Sequence, residues 1–223
     1  MSASTQAING KAKAKAGYFL ADGSRVPSVT TILGVIAKPA LIPWANKLGL
    51  QGIDSTKYVD GLASVGTLAH DMILADLRGD VPADCGKEYD KATVDLAENC
   101  FISFLNWKKD KTIEPILMEI PLVSELLRFG GRTDFYGKVN DRLAIIDFKT
   151  GKGIWPEHWY QLAAYSRLIE ENGHAQAIDY AVLNIPRAET ESFDFKMRSS
   201  LADEWMVFRA AMTIYNLQKQ IGK

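Results

Sequence analysis

Gly130-Gly131-Arg132-Thr133-Asp134-Phe135-Tyr136-Gly137, followed after Lys138-Val139-Asn140-Asp141-Arg142 by Leu143-Ala144-Ile145-Ile146-Asp147-Phe148-Lys149-Thr150-Gly151, is the stretch that decides the fold. It reads as two short strands about a turn at Asn140-Asp141. Side chains alternate along a strand, so Asp147 and Lys149 project to one side while Ile146 and Phe148 point to the other. Asp134, on the neighbouring strand, is in reach of Asp147 and supplies a second carboxylate. Two carboxylates at one point repel unless a cation joins them. A hard divalent metal does so through oxygen ligands and keeps positions for water and a phosphate oxygen. Taken alone, an Asp-x-Lys is more often a surface ion pair on an edge strand. The apolar run Leu143-Ala144-Ile145-Ile146 marks a buried strand, where charges without a role are costly, and this favours the metal-site reading.

Outward from that hairpin, strands are expected over Ile113 to Val123, Thr133 to Lys138, Leu143 to Lys149, Ile178 to Ile185 and Ser192 to Met197. A helix from Glu157 to Glu171 separates the third strand from the fourth. A last helix carries Leu201, Trp205, Phe208, Met212 and Tyr215 at helical spacing, a pattern of core residues. Upstream, Gly17 to Val29 reads as a hairpin turning at Asp22-Gly23. Ser28 or Thr30 caps a short helix that Pro39 ends, and Leu41 to Leu48 forms another. Tyr58 to Leu77 is a longer helix closed by Gly79. Lys87 to Lys108 is amphipathic, with Leu96, Ala97, Cys100, Phe101, Phe104 and Leu105 on one stripe, which makes Cys100 a core filler. The order predicts an α/β fold, a mixed central sheet flanked by helices with a helical N-terminal region. One domain is expected over residues 17–223, mainly helical over 17–111 and sheet-containing over 112–223. Residues 1–16, rich in Ser, Ala and Lys, read as a flexible tail.

The 223 residues are 47% hydrophobic and 24% charged, which suits one globular domain and excludes disulfide scaffolds and wholesale disorder. No stretch approaches the roughly 20 apolar residues of a membrane span, and the start lacks a secretory apolar block. A soluble, cytoplasmic protein is expected. A mitochondrial presequence fits less well, because no arginine precedes Arg25. With only Cys85 and Cys100, a four-cysteine iron–sulfur cluster is out of reach, so a metal must be held by oxygen and imidazole. A net charge of -1 argues against coating nucleic acid by bulk charge. Over residues 1–50, however, Lys11, Lys13, Lys15, Arg25, Lys38 and Lys47 face Asp22 alone, an excess of five positive charges.

Two further signals accompany the hairpin. In Gly66-Thr67-Leu68-Ala69-His70-Asp71, His70 lies on a helix with apolar neighbours and can turn its imidazole towards the metal, although a lone helical histidine is usually structural. Gln161 and Tyr165, at i and i+4 of the helix after Lys149, share a face. In this order, Gly66-x-x-x-His70, Gly131-x-x-Asp134, Asp147-x-Lys149-Thr150-Gly151 and Gln161-x-x-x-Tyr165 resemble the RecB-like branch of the PD-(D/E)XK nuclease superfamily. Val26-Pro27-Ser28-Val29-Thr30-Thr31-Ile32-Leu33, followed by Trp44, also resembles the start of phage and mitochondrial genome-maintenance exonucleases of that branch.

The resemblance implies a metal held by His70, Asp134, Asp147 and the backbone carbonyl of Phe148. It gives Lys149 the task of orienting the attacking water and stabilising charge that grows on the phosphate. Gln161 and Tyr165 would position the strand being cut, and Arg132 joins the substrate-binding set. Glu119 resembles an acidic residue upstream of the Asp134 motif, its role open between the metal shell and an ion pair with a basic neighbour. An imidazole among oxygen ligands makes Mn²⁺ as good an expectation as Mg²⁺. The implied activity is a DNA exonuclease leaving 5′-phosphates in recombination, repair or replication. Its substrate is DNA with free ends, and a single-strand-annealing or single-strand-binding protein is the kind of partner implied. Trp44, Tyr58 and Lys38 are candidates for stacking on bases and meeting phosphates, with a core position the plainer reading of Trp44. An endonuclease on branched or flapped DNA, RNA as substrate, and a non-catalytic nucleic-acid-binding module are the alternatives.

Overall fold

The computed structural model describes residues 17–188 and 192–222, so the tail expected over residues 1–16 lies outside it. The elements run β1 (Tyr18–Phe19), β2 (Arg25–Val26), α1 (Val29–Leu33), α2 (Leu41–Leu50), α3 (Ser55–Arg78) and α4 (Lys91–Lys108). Then come β3 (Ile113–Leu117), β4 (Pro121–Ser124), β5 (Phe129–Arg132), β6 (Phe135–Val139) and β7 (Arg142–Lys149). The chain continues through α5 (Pro156–Glu171), β8 (Asp179–Asn184), β9 (Asp194–Arg198) and α6 (Ala202–Ile221).

Local chemistry sets most of these boundaries. The Ser28 hydroxyl accepts from the Thr31 amide and starts α1. That helix ends at Gly34, five residues short of Pro39. Asp54 and Asp90 cap α3 and α4 through the amides of Thr56 and Thr93. Gly79 closes α3 at φ 81°, a left-handed position that costs glycine little. The β6–β7 turn puts Asn140 at φ 49° and Asp141 at φ 63°, the two left-handed residues of a tight hairpin.

The central sheet has the order β3-β6-β7-β8-β9, parallel only between β7 and β8, where α5 makes the crossover. The fold is therefore the expected mixed sheet with helical cover. On one face Ile145, Tyr180 and Val182 pack with Leu162 and Leu168 of α5, Phe208 of α6 and Ile32 of α1. On the other, Ile146, Phe148 and Leu183 pack with Met72 of α3 and Phe104 of α4. Trp205, Met212 and Tyr215 lie against the first core, as their spacing predicts, and Cys100 is fully buried, its thiol pushed up to about 12 by that burial. At the sheet's margin the Arg142 guanidinium holds Asp179 by two bonds of 2.6 and 2.7 Å.

One expected strand is two. Ile113 to Val123 breaks at Glu119, whose φ of 54° turns the backbone. The first half pairs with β6 in the main sheet, the second with β5 in a separate ribbon. The Glu119 amide, donating to the Thr133 carbonyl at 3.0 Å, spans the break.

Candidate active site

β6 and β7 carry the first part of the site. Their register pairs Phe135 with Ile146, which continues to set Asp134 opposite Asp147. Asp134 is tied down through both carboxylate oxygens. One accepts the Phe148 amide at 2.8 Å, and the other faces His70 Nδ1 at 3.5 Å. His70, from the middle of α3, sets its second ring nitrogen 3.1 Å from the Phe148 carbonyl oxygen. Its ring stands edge-on to Phe148, 6.1 Å between centroids.

Asp147 is almost wholly buried, with Lys149 Nζ 2.6 Å from its Oδ2. The contact is a short ion pair, and Lys149 is the partner of that oxygen. The Lys149 ammonium also donates to Gln161 Oε1 at 3.1 Å, and Gln161 Nε2 donates to the Tyr165 hydroxyl at 2.6 Å. A chain thus runs from α5 to the end of β7. Gly131 makes room for it: a Cβ there would stand 2.6 Å from Tyr165 Cε1. Gly66 similarly lets α3 approach the loop after Lys149, 3.2 Å from Thr150 Oγ1 by the same construction. Two glycines of the motifs are therefore packing positions.

Burial and neighbouring charge oppose one another here. Burial would raise the Asp134 carboxyl, but the His70 ring, Lys149 and the Phe148 amide outweigh it and hold it at about 2. For Asp147 burial wins, helped by repulsion from Asp134 and resisted by Lys149, and it rises to about 6. Lys149 is held above its ordinary value because Asp147 and Asp134 overcome the cost of burial. His70 likewise moves up, Asp134 overcoming desolvation.

A divalent cation fits these donors. His70, Glu119 and Asp134 offer ligand atoms within 4.8 Å of one another. The Phe148 carbonyl oxygen lies 3.1 Å from a His70 ring nitrogen and so adds a further oxygen donor beside the group. Asp147 adds a buried carboxylate beside Asp134, paired with Lys149. Glu119 is the residue that sequence reasoning left without a place. The left-handed turn that splits the expected strand brings its carboxylate into this group, while Arg132 Nε holds the same carboxylate at 2.6 Å. Sequence carried no signal for that turn beyond Pro121 two residues on.

Other expected site residues lie in different company. Arg132 is engaged with Glu119, and Lys38 pairs with Glu157 at 2.9 Å near the start of α5. Trp44 is half-buried and packs on Tyr58, 6.1 Å between centroids, on a helix none of whose residues is buried; it is not a core residue. Two supporting residues carry no motif in the sequence. The Asn184 amide, with its nitrogen turned to the carbonyls of Lys149 and Gly151 at 3.3 and 3.2 Å, secures the end of β7. Arg187 donates to the Leu62 carbonyl at 3.2 Å and lies 3.4 Å from Thr150 Oγ1, joining α3 to the same loop.

Among solved structures, that of SSO0001 is similar at 17% identity and a TM-score of 0.35, over 69% of this chain and 75% of that one. A protein of Eubacterium rectale provisionally named an exonuclease is similar at 13% identity and a TM-score of 0.46, over 71% and 68%. No curated protein matches. A family model, that of the PD-(D/E)XK nuclease superfamily, matches residues 46–213, from within α2 to within α6. That span is well over half the chain and takes in His70, Glu119, Asp134, Asp147, Lys149, Gln161 and Tyr165 together, and the chain belongs to the PD-(D/E)XK nuclease superfamily.

Proposed function

We propose that the protein is a divalent-metal-dependent DNA exonuclease of the RecB-like branch, of the phage and mitochondrial genome-maintenance type, which hydrolyses phosphodiesters to leave 5′-phosphates. The observation that carries the reading is the meeting of His70, Glu119 and Asp134 beside the Lys149–Asp147 pair. The exonuclease type is supported by the Val26 to Leu33 opening, which leans on the strand before Asp134 through the Gly130 amide and Pro27 carbonyl at 2.9 Å.

In this reading His70, Glu119, Asp134, Asp147 and the Phe148 carbonyl hold Mg²⁺ or Mn²⁺. The bound cation supplies positive charge to the scissile phosphate and lowers the pKa of water. Lys149, fixed between Asp147 and Gln161, holds its ammonium where it can orient that water and offset negative charge growing in the transition state. Gln161 acts on Lys149 first, and with Tyr165 it keeps the ammonium from turning away. Trp44, Tyr58, Lys38 and Arg132 remain the residues proposed to meet the strand. The biological setting proposed is recombination, repair or replication in a bacterial or phage-infected cell, beside a single-strand-annealing or single-strand-binding protein. No helix among the described residues is long and apolar enough to cross a membrane.

The test is cleavage of end-labelled linear single- and double-stranded DNA, beside closed circular DNA, with Mn²⁺, Mg²⁺ or EDTA. Loss of linear DNA alone is expected, requiring metal and abolished by Lys149→Ala. Cutting of the circle would establish an endonuclease instead, and a folded protein inert on every substrate would sink the catalytic reading.

A further inference from the structure

α6 has two apolar faces, and among the described residues only one is packed against the rest of the chain. Phe208 and Ala211 are buried, and Trp205, Met212 and Tyr215 lean on the same core, with α1 and α5 packed on this side. Around the other side run Val207, Ala210, Ile214, Leu217 and Ile221, all exposed: Ile214 at 46%, Leu217 at 50% and Ile221 at 82%. Met206, 69% exposed, borders them. The spacing is three, four, three, four, the a/d repeat of a two-stranded coiled coil. At roughly 100° per residue the stripe lies about 145° from the core-facing one. From Ala210 to Gln218 the helix carries no charged residue at all, unusual for a helix with an exposed face.

We propose that this stripe pairs with the same stripe of a second copy of the chain, forming a two-fold homodimer through parallel α6 helices. The residue types select the occupant. Val207, Ile214 and Ile221 put a β-branched side chain at every a position, and Ala210 and Leu217 fill d, the combination that favours two parallel strands. The flanking Met206, Thr213, Gln218 and Gln220 are uncharged, so like meets like across the axis without repulsion. The two protein bodies, lying on the far side of each helix, point away from one another. The exposed apolar area is on the order of 500 Å² per copy, at the upper end for a monomer's largest patch. Doubled, it reaches the roughly 1,000 Å² that a specific interface requires. Each helix is already folded on its own core, so pairing carries no cost of helix formation.

Sedimentation velocity of the whole protein from about 1 to 100 µM, with circular dichroism as a fold control, tests the pairing. The parent should sediment as a dimer, and Ile214→Glu and Leu217→Glu as folded monomers, at least 100-fold weaker in association. In a Cys85→Ser background, Val207→Cys and Ile221→Cys should each form the cross-linked dimer on oxidation, whereas antiparallel helices would cross-link only when the two variants are mixed. A monomeric parent, a higher assembly, cross-linking only in the mixture, or a dimer indifferent to both glutamates overturns the proposal.

Discussion

Asp134 and Asp147 face one another yet titrate in opposite directions, and each makes its own prediction. Asp134 at about 2 adds stability that is complete above the ordinary carboxylate range and lost as pH falls towards 2. Asp147 at about 6 does the reverse, since the folded chain holds a proton that the unfolded chain gives up near 4. In metal-free protein Asp147 therefore contributes a loss of stability as pH rises from about 4 to 6, opposite in sign to any group lowered in the folded state, and Asp147→Asn should remove that contribution in melts under EDTA. Asp134→Ala is expected to abolish cleavage and also to lower stability by about 1–3 kcal/mol, because the buried Phe148 amide loses its acceptor. Asp134→Asn keeps an acceptor for that amide but loses the charge facing His70 and Lys149, so it should abolish cleavage while staying more stable than Asp134→Ala. Equal melting temperatures for the two variants would refute that role. That pairing between Asp134 and the Phe148 amide was not legible in the sequence, since it depends on a strand register that no composition reveals. Adjacency of Asp147 and Lys149 was legible, since alternation along one strand suffices. Placement of Glu119 was not, since a left-handed φ at a glutamate leaves no trace in sequence.

At the scale of elements, α5 shows how a helix start senses pH. The His158 Nδ1 accepts the Trp155 amide at 3.2 Å just ahead of the first turn, which requires the unprotonated ring nitrogen. Burial, with Lys149 nearby, brings His158 down to about 4. A histidine lowered in the folded state contributes stability that is complete above its ordinary value near 6.5 and declines as pH falls towards 4. The decline should amount to about 2 kcal/mol or less, and His158→Gln should flatten it in denaturant titrations across that range. The elements themselves were mostly readable, through the caps of α3 and α4, the periodicity of α4 and α6, and the apolar run of β7. Misreadings fell where a local signal was ambiguous. Pro39 predicts an end for α1 that Gly34 already supplies, and the apolar run predicts one strand where β3 and β4 enter different sheets.

For the whole molecule, the central sheet is covered on both faces by separate cores. The helical first half supplies one of them, with Met72 and Phe104 against Phe148 and Leu183. His70 reaches the site only because that core holds α3 in place. Phe104→Ala, at a fully buried position, should cost about 3–5 kcal/mol in unfolding free energy. Cleavage measured well below the lowered melting temperature should persist, since the residue touches none of the charged groups by any contact described above. Retention of the parent's melting temperature would show that the cover on this face is dispensable.

The Asn140-Asp141 turn carries a consequence for the order in which the molecule is made. A hairpin closed by two residues forms in microseconds, ahead of any docking by distant helices. Asp134 and Asp147 are therefore juxtaposed while His70, more than sixty residues upstream, is still finding its place. The nascent chain meets its sharpest electrostatic conflict at the outset, so refolding should accelerate when a divalent cation is present or when the medium is acid enough to protonate Asp147, and stopped-flow refolding would read this as a rate rather than a stability.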